Sequence, residues 1–251
     1  MVNATVEHTP VGRPDPTEEI DAGDAPLLLD PSTPLIISAW GRKGAGKSVF
    51  NRRIYTSWPY DKVCIDVNGE AEPGPDAERL TGPIPKRFPD PPGGLPGAPR
   101  PGPRNLHYRA DPGSDTYTDD LDRAVGLALY PQHRPTLVWA GEVGEFMPGA
   151  QVTRPHMRRL LMQSRHYRAT ALFDGPRPMN VNPLVLQQSD LVAIYHLPNP
   201  DDRERVAKTI GYPTARFHDE HEATLRRGPY WFLLWVAGEH QLYRCAPLPL
   251  D

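Results

Sequence analysis

Cysteine is scarce in this chain: Cys64 and Cys245 are the only two in 251 residues, each inside an expected strand. Two thiols cannot make the disulfide framework of a small secreted domain, so the expectation is a pair of buried thiols in a reducing compartment. Long hydrophobic runs are missing too. The longest, Tyr230–Ala237 (YWFLLWVA), falls far short of the roughly 20 residues that span a bilayer and reads as a core strand. Met1–Pro10 has neither a basic segment nor an apolar one, so no signal peptide is expected and the cytoplasm is the anticipated location. Excess charge is absent as well: the net value of −3 points by itself neither to nucleic acid nor to a membrane surface.

What the chain does have is a specific phosphate-binding pattern. Pro34–Ser48 reads PLIISAWGRKGAGKS, an apolar run followed by G-x-x-x-x-G-K-[ST]. Gly41, Gly44 and Gly46 lack a Cβ, so the backbone can turn with positive φ and bring its N–H groups onto phosphate oxygens. Arg42, Lys43 and Ala45 complete the loop. Lys47 can reach the β- and γ-phosphates of ATP, and the Ser48 hydroxyl can ligate Mg²⁺. The helical sequence that follows, to about residue 57, would set the phosphates on a helix N-terminus.

The length suits one α/β domain. Residues 1–33 form an acidic tail, with seven acids against Arg13 alone, and are expected to be largely disordered. Strand Lys62–Asp66 ends in an acid. Residues 71–104 hold eleven of the 32 prolines, and this Pro/Gly-rich insertion is expected to build neither helix nor ladder. The tail and the insertion are both candidate docking segments for a protein partner.

Beyond the insertion, strands are expected at 105–109, 136–140, 170–173 and 191–195. Helices are expected at 119–129, 155–167, 183–188 and 201–210, the last capped by Asn199 or Asp201. Strands 230–236 and 241–245 look like an antiparallel pair. Strands alternating with helices imply a mainly parallel central sheet flanked by helices, with nucleotide at the strands' carboxyl ends.

Hydrolysis needs a group to activate water, and the end of a neighbouring buried strand is its natural place. Thr136–Ala140 runs into Gly141-Glu142, which makes Glu142 the general-base candidate and Glu145 its reserve. Most P-loop ATPases carry Asp-Glu there, so Gly141 leaves Mg²⁺ resting on Ser48 and the phosphates. Asp66 is a partial substitute, though a structural role suits it better. Arg154–Arg177 gathers six arginines around a single acid, Asp174. Arg158 and Arg165 share a helix face. A solvated basic face, an arginine finger at Arg165 and DNA-backbone contacts through Arg158, Arg159 and Arg168 all fit that cluster.

GRKGAGKS, the strand ending at Asp66 with Asn68-Gly69-Glu70, LVWAGEVGEF, and SRHYRATALFDGPRPMNVNPLVLQQSDLVAIYHL together resemble the FtsK–HerA class of P-loop ATPases. The similarity runs over about 34–245, toward the HerA-like and zonular-occludens-toxin-type domains of phages and mobile elements. It implies an ATP cradle at Gly41–Ser48, catalysis by Glu142, a finger at Arg165, and a ring, hexameric in that class, that moves DNA. Two departures stand out: Gly141 replaces the Asp of the acidic pair, and Pro176 replaces the polar sensor. The leading expectation is therefore a DNA-translocating or packaging ATPase. The alternatives are an ATP-binding adaptor that hydrolyses weakly or not at all, and a nucleoside-type kinase.

Overall fold

The computed structural model describes residues 18–20, 29–84, 102–129, 134–149 and 154–249. The chain opens with β1 (Glu18–Ile20), β2 (Ile36–Trp40), α1 (Lys47–Ser57), β3 (Asp61–Asp66), β4 (Glu78–Leu80) and β5 (Asn105–Arg109). Next come α2 (Tyr117–Leu129), β6 (Thr136–Ala140), α3 (Val143–Phe146), α4 (Pro155–Tyr167), β7 (Ala169–Gly175) and α5 (Pro183–Gln187). It closes with β8 (Leu191–Ile194), α6 (Pro200–Ile210), α7 (Thr214–Arg226), β9 (Phe232–Val236) and β10 (Gln241–Cys245).

Every residue of β2, β6, β7, β8 and β9 is buried. Such continuous apolar runs suit strands covered on both faces. All ten strands join one sheet in the order β1-β10-β9-β8-β2-β7-β6-β3-β5-β4. Pairing is parallel from β8 across to β4, while β9 runs antiparallel to both β8 and β10. The anticipated parallel sheet with its C-terminal antiparallel pair is therefore what forms.

Residues i and i+2 of a strand face opposite layers from their neighbours, and β2 shows it. Ile36 and Trp40 pack in one core with Leu121 of α2, Leu160 of α4, Val206 of α6 and Phe217 of α7. Ile37 and Ala39 pack in the other, against Phe50, Ile54 and Tyr55 of α1. Full burial of a side chain the size of Phe50 contributes about 1.5–3 kcal/mol. No helix among the described residues is long and apolar enough to cross a membrane.

Several expectations meet a different outcome. The insertion does contribute a ladder: Glu78–Leu80 pairs in parallel with Leu106–Tyr108. Three residues suffice there because β5 offers an unpaired edge. Glu18–Ile20, inside the acidic tail, pairs with Tyr243–Cys245. The rest of the tail up to residue 28, and 85–101 of the insertion, lie outside the described residues, and with them their roles as docking segments. Helix α7 was not anticipated at all. Strand β9 begins at Phe232, leaving Tyr230 outside it with φ 67°. Helix α6 is capped by Asn199, whose Oδ1 accepts from the Asp201 amide at 2.9 Å. Both cysteines are buried and unpaired.

Candidate functional site

The loop between β2 and α1 is tied to the carboxyl ends of the strands on either side. The Gly41 amide donates to Gly175 O of β7 at 3.3 Å, and the Arg42 amide to His196 O beyond β8 at 3.0 Å. Gly44 and Gly46 hold φ 75° and 109°, in the left-handed region that only glycine enters freely. A Cβ added at Gly41 would stand 2.6 Å from Tyr195 Cβ, whereas one at Gly44 would meet nothing within 4 Å. The loop is thus packed at its root and open at its crown. The Val49 and Phe50 amides close on Gly46 O at 3.1 and 3.2 Å, whereas the Lys47 and Ser48 amides that open α1 have no preceding turn to bond and stay available to an anion.

Lys47 is buried, and its ammonium folds back on the loop, donating to Gly41 O at 2.7 Å and Arg42 O at 3.2 Å. Burial lowers its pKa, while the Asp174 and Glu142 carboxylates pull it back up. Ser48 is exposed and opens into a small cavity of about 60 Å³ shared with Asp66, Gly141, Glu142 and Asp174. Arg42 and Lys43 are exposed, Lys43 reaching Glu70 at 2.7 Å across the rim.

Glu142 caps the short helix α3 from a left-handed conformation, φ 52°, ψ 55°. A non-glycine residue there carries strain of about 1–3 kcal/mol, a feature that concentrates at functional sites. Burial pushes its carboxyl pKa up, with Asp174 adding to the rise and Lys47 opposing it. An elevated carboxylate next to a lysine is suited to taking a proton from water. Glu145, the reserve, is exposed and hydrogen-bonded by Tyr117 of α2.

Asp66 has structural work: its carboxylate accepts from the Gly69 and Glu70 amides at 2.7 and 3.1 Å and pairs with His107 at 3.1 Å. The residue that sequence reading passed over is Asp174. It is the penultimate residue of β7, directly beside Gly141, is 8 % exposed, and accepts from Asn51, Trp139 and the Glu142 amide.

The arginines divide by position. Helix α4 runs back along the sheet, so Arg165 and Arg168 sit at the amino end of β7, about 20 Å from the loop. Arg165 borders a cavity of about 570 Å³ there, with Pro34, Ile36, Gln188 and Asp190. It cannot serve the loop of its own chain. Arg158 and Arg159 lie exposed near the start of α4, whose first amides are held by Asp122 of α2 at 3.0–3.2 Å. Arg177 is engaged with the buried Asp202 at 3.1 Å.

Beside the loop's other flank lies a cavity of about 440 Å³, lined by Gly44–Val49, Tyr195, Tyr230, Pro247 and Leu248. Tyr195 backs it, stacked on Phe232 with centroids 4.9 Å apart. Tyr230 is 56 % exposed, and a Cβ at Gly46 would touch its ring at 3.5 Å. The residues present therefore fit a nucleoside triphosphate with its cation. The open crown would admit phosphates beside Lys47 and Ser48, and the cavity lined by Tyr195 and Tyr230 would leave room for a base. Among the described residues no group of three or more His, Cys, Asp or Glu could hold a metal ion.

Loop, sheet order and helix placement define the P-loop NTPase fold. Solved structures that share it include the genome packaging NTPase B204 from Sulfolobus turreted icosahedral virus 2. Its complex with ATP-gammaS superposes at TM-score 0.65 with 15% identity, covering 88% of this chain and 100% of that one. Its complex with sulfate gives TM-score 0.64 at 16% identity, over 89% of this chain and 100% of that one. B204, the DNA-packaging ATPase from Sulfolobus turreted icosahedral virus, gives TM-score 0.60 at 15% identity, over 88% and 100%. At such identities the likeness establishes the fold. No family model matches the chain, and no curated protein does.

Proposed function

We propose that this protein is an ATP-hydrolysing P-loop ATPase of the FtsK–HerA class that moves or packages DNA as a ring oligomer. The observation that carries the reading is the juxtaposition of the Gly41–Ser48 cradle with a strained, pKa-raised Glu142 across one small cavity. Arg42, Lys43, Gly44, Ala45, Gly46 and Lys47 would surround the phosphates, and Ser48 would ligate Mg²⁺. When bound, Mg²⁺ neutralises charge on the phosphate oxygens. Glu142 would orient and deprotonate the attacking water. Because Arg165 lies at the far end of the sheet, it would act only on the nucleotide of a neighbouring subunit, which gives the ring a catalytic reason. Arg158, Arg159 and Arg168 would track the DNA backbone. The packaging role of B204 supports this direction.

The expected result is ATP turnover stimulated by double-stranded DNA, together with nucleotide-dependent assembly seen by mass measurement with and without ATPγS. Turnover that ignores DNA, in a protein that stays monomeric, would refute the motor. A second reading, an ATP-binding adaptor with slow or no hydrolysis, is favoured by Gly141 and Pro176. It expects tight ATPγS binding with turnover that neither DNA nor assembly accelerates.

The aromatic cavity supplies its own prediction. With phosphates on the loop, the base would stack on Tyr230, a contact worth about 1–3 kcal/mol for aromatic platforms. Tyr230→Ala should weaken ATPγS binding roughly tenfold to a hundredfold by calorimetry and leave inorganic tripolyphosphate binding unchanged. Equal losses for both ligands would place the base elsewhere.

A further inference from the structure

The acid that position 141 lacks has a neighbour that can replace it. In the β6–β7 register Ala140 stands beside Phe173, so Gly141 stands beside Asp174. A Cβ built at Gly141 would lie 3.7 Å from Asp174 Oδ2 and 3.9 Å from Oδ1, ordinary contact distances. The carboxylate from β7 therefore occupies the space that a carboxylate from β6 would reach into.

We propose that Asp174 supplies the carboxylate of the Mg²⁺ shell in this chain, one strand over from the position the Asp-Glu pair would give it. This rests on the reading that Gly41–Ser48 holds a nucleoside triphosphate. Asp174 is locked by donors from two elements: Oδ2 accepts from Asn51 Nδ2 of α1 at 2.7 Å and from Trp139 Nε1 of β6 at 3.1 Å. Oδ1 accepts from the Glu142 amide at 3.2 Å. An ionised carboxylate offers about four acceptor positions, so one remains for a metal-bound water. It borders the same cavity as Ser48 and Glu142.

Asn51 gives an independent sign. The residue is fully buried, and its Oδ1 has no hydrogen-bond partner among the described residues. A buried acceptor left so costs stability, and a water held by the cation next to Asp174 would satisfy it. The glycine at 141 then has a reason. A second carboxylate against Asp174 would share one proton with it rather than add a ligand.

The test is ATPγS binding by calorimetry across a Mg²⁺ titration. For the wild type, affinity rises with Mg²⁺. Asp174→Asn should keep the metal-free affinity and lose about 10–100-fold of the Mg²⁺-dependent gain. The swapped variant Gly141→Asp/Asp174→Asn, which returns the acid to β6, should recover much of it. A full Mg²⁺-dependent gain in folded Asp174→Asn overturns the assignment and leaves the P-loop reading standing. A wild type that binds no ATPγS under any condition overturns both. Should Asp174→Asn fail to fold, pulsed EPR of the Mn²⁺–ATPγS complex of Asp66→Asn protein labelled with ¹³C-carboxyl aspartate decides the point, because Asp66 lines the same cavity. A carboxylate coupling is expected in an Asp66→Asn background, and its absence there overturns the assignment.

Discussion

Replacing Lys47 by alanine is expected to weaken ATPγS binding by roughly a hundredfold and bring ATP turnover to background. Two losses combine. A charge-assisted hydrogen bond is worth about 1.5–3 kcal/mol, and Lys47 is the one buried cation lining the loop. The same Nζ also holds the loop to its own carbonyls, Gly41 O and Arg42 O. Phosphate binding would exchange those two carbonyls for phosphate oxygens, so the ammonium is already placed and largely desolvated. Lys47→Arg should not rescue, because a planar guanidinium cannot enter a ring shaped around a single ammonium. Calorimetry with ATPγS and a phosphate-release assay read the two losses separately. Unchanged binding in Lys47→Ala would remove the P-loop as the nucleotide site and with it every role assigned around it.

The parts of the fold that were legible in the sequence are those set by local pattern. The run into Gly41, the glycine spacing and the helix after it declare themselves within fifteen residues. The buried strands read as apolar runs because parallel strands covered on both faces have no polar side to show. Helix α7 was illegible for a definite reason. Its buried positions are Phe217, His221 and Thr224, helically spaced but with only one large apolar member, and Pro213 before it gives no side-chain cap. Strand β4 is short and set among prolines, and pairing with β5 alone makes it a strand.

Within the candidate site, Glu142 was legible because a strand end followed by Glu is itself a local signal. Asp174 was not. In sequence it is an acid among arginines, and its partner Asn51 stands 123 residues away. Only the β6–β7 register makes it the neighbour of Gly141. Tyr230 was absorbed into an apolar run, yet its positive φ turns it out of the sheet and toward Gly46. Arg165 illustrates the reverse case. A helix between parallel strands must return the chain to the strands' amino ends, so the topology alone removes it from its own loop.

Glu142→Gln is expected to lower ATP turnover by about 10²–10⁴-fold while leaving ATPγS affinity within a few-fold of wild type. Glutamine keeps the shape and the backbone contact with Asp174, and loses only the ability to accept a proton. The two arms distinguish a catalytic acid from a structural one, since a structural role would move affinity and thermal stability together with rate. The pH profile adds a second reading. Burial first, then Asp174, raise the Glu142 pKa against the pull of Lys47, and the carboxylate must be ionised to act as base. Wild-type turnover should therefore rise with pH through a midpoint above the ordinary glutamate value of about 4.3. That limb should vanish from the residual activity of Glu142→Gln. A limb that persists unchanged in Glu142→Gln would assign the base to another carboxylate, with Glu145 the next to replace.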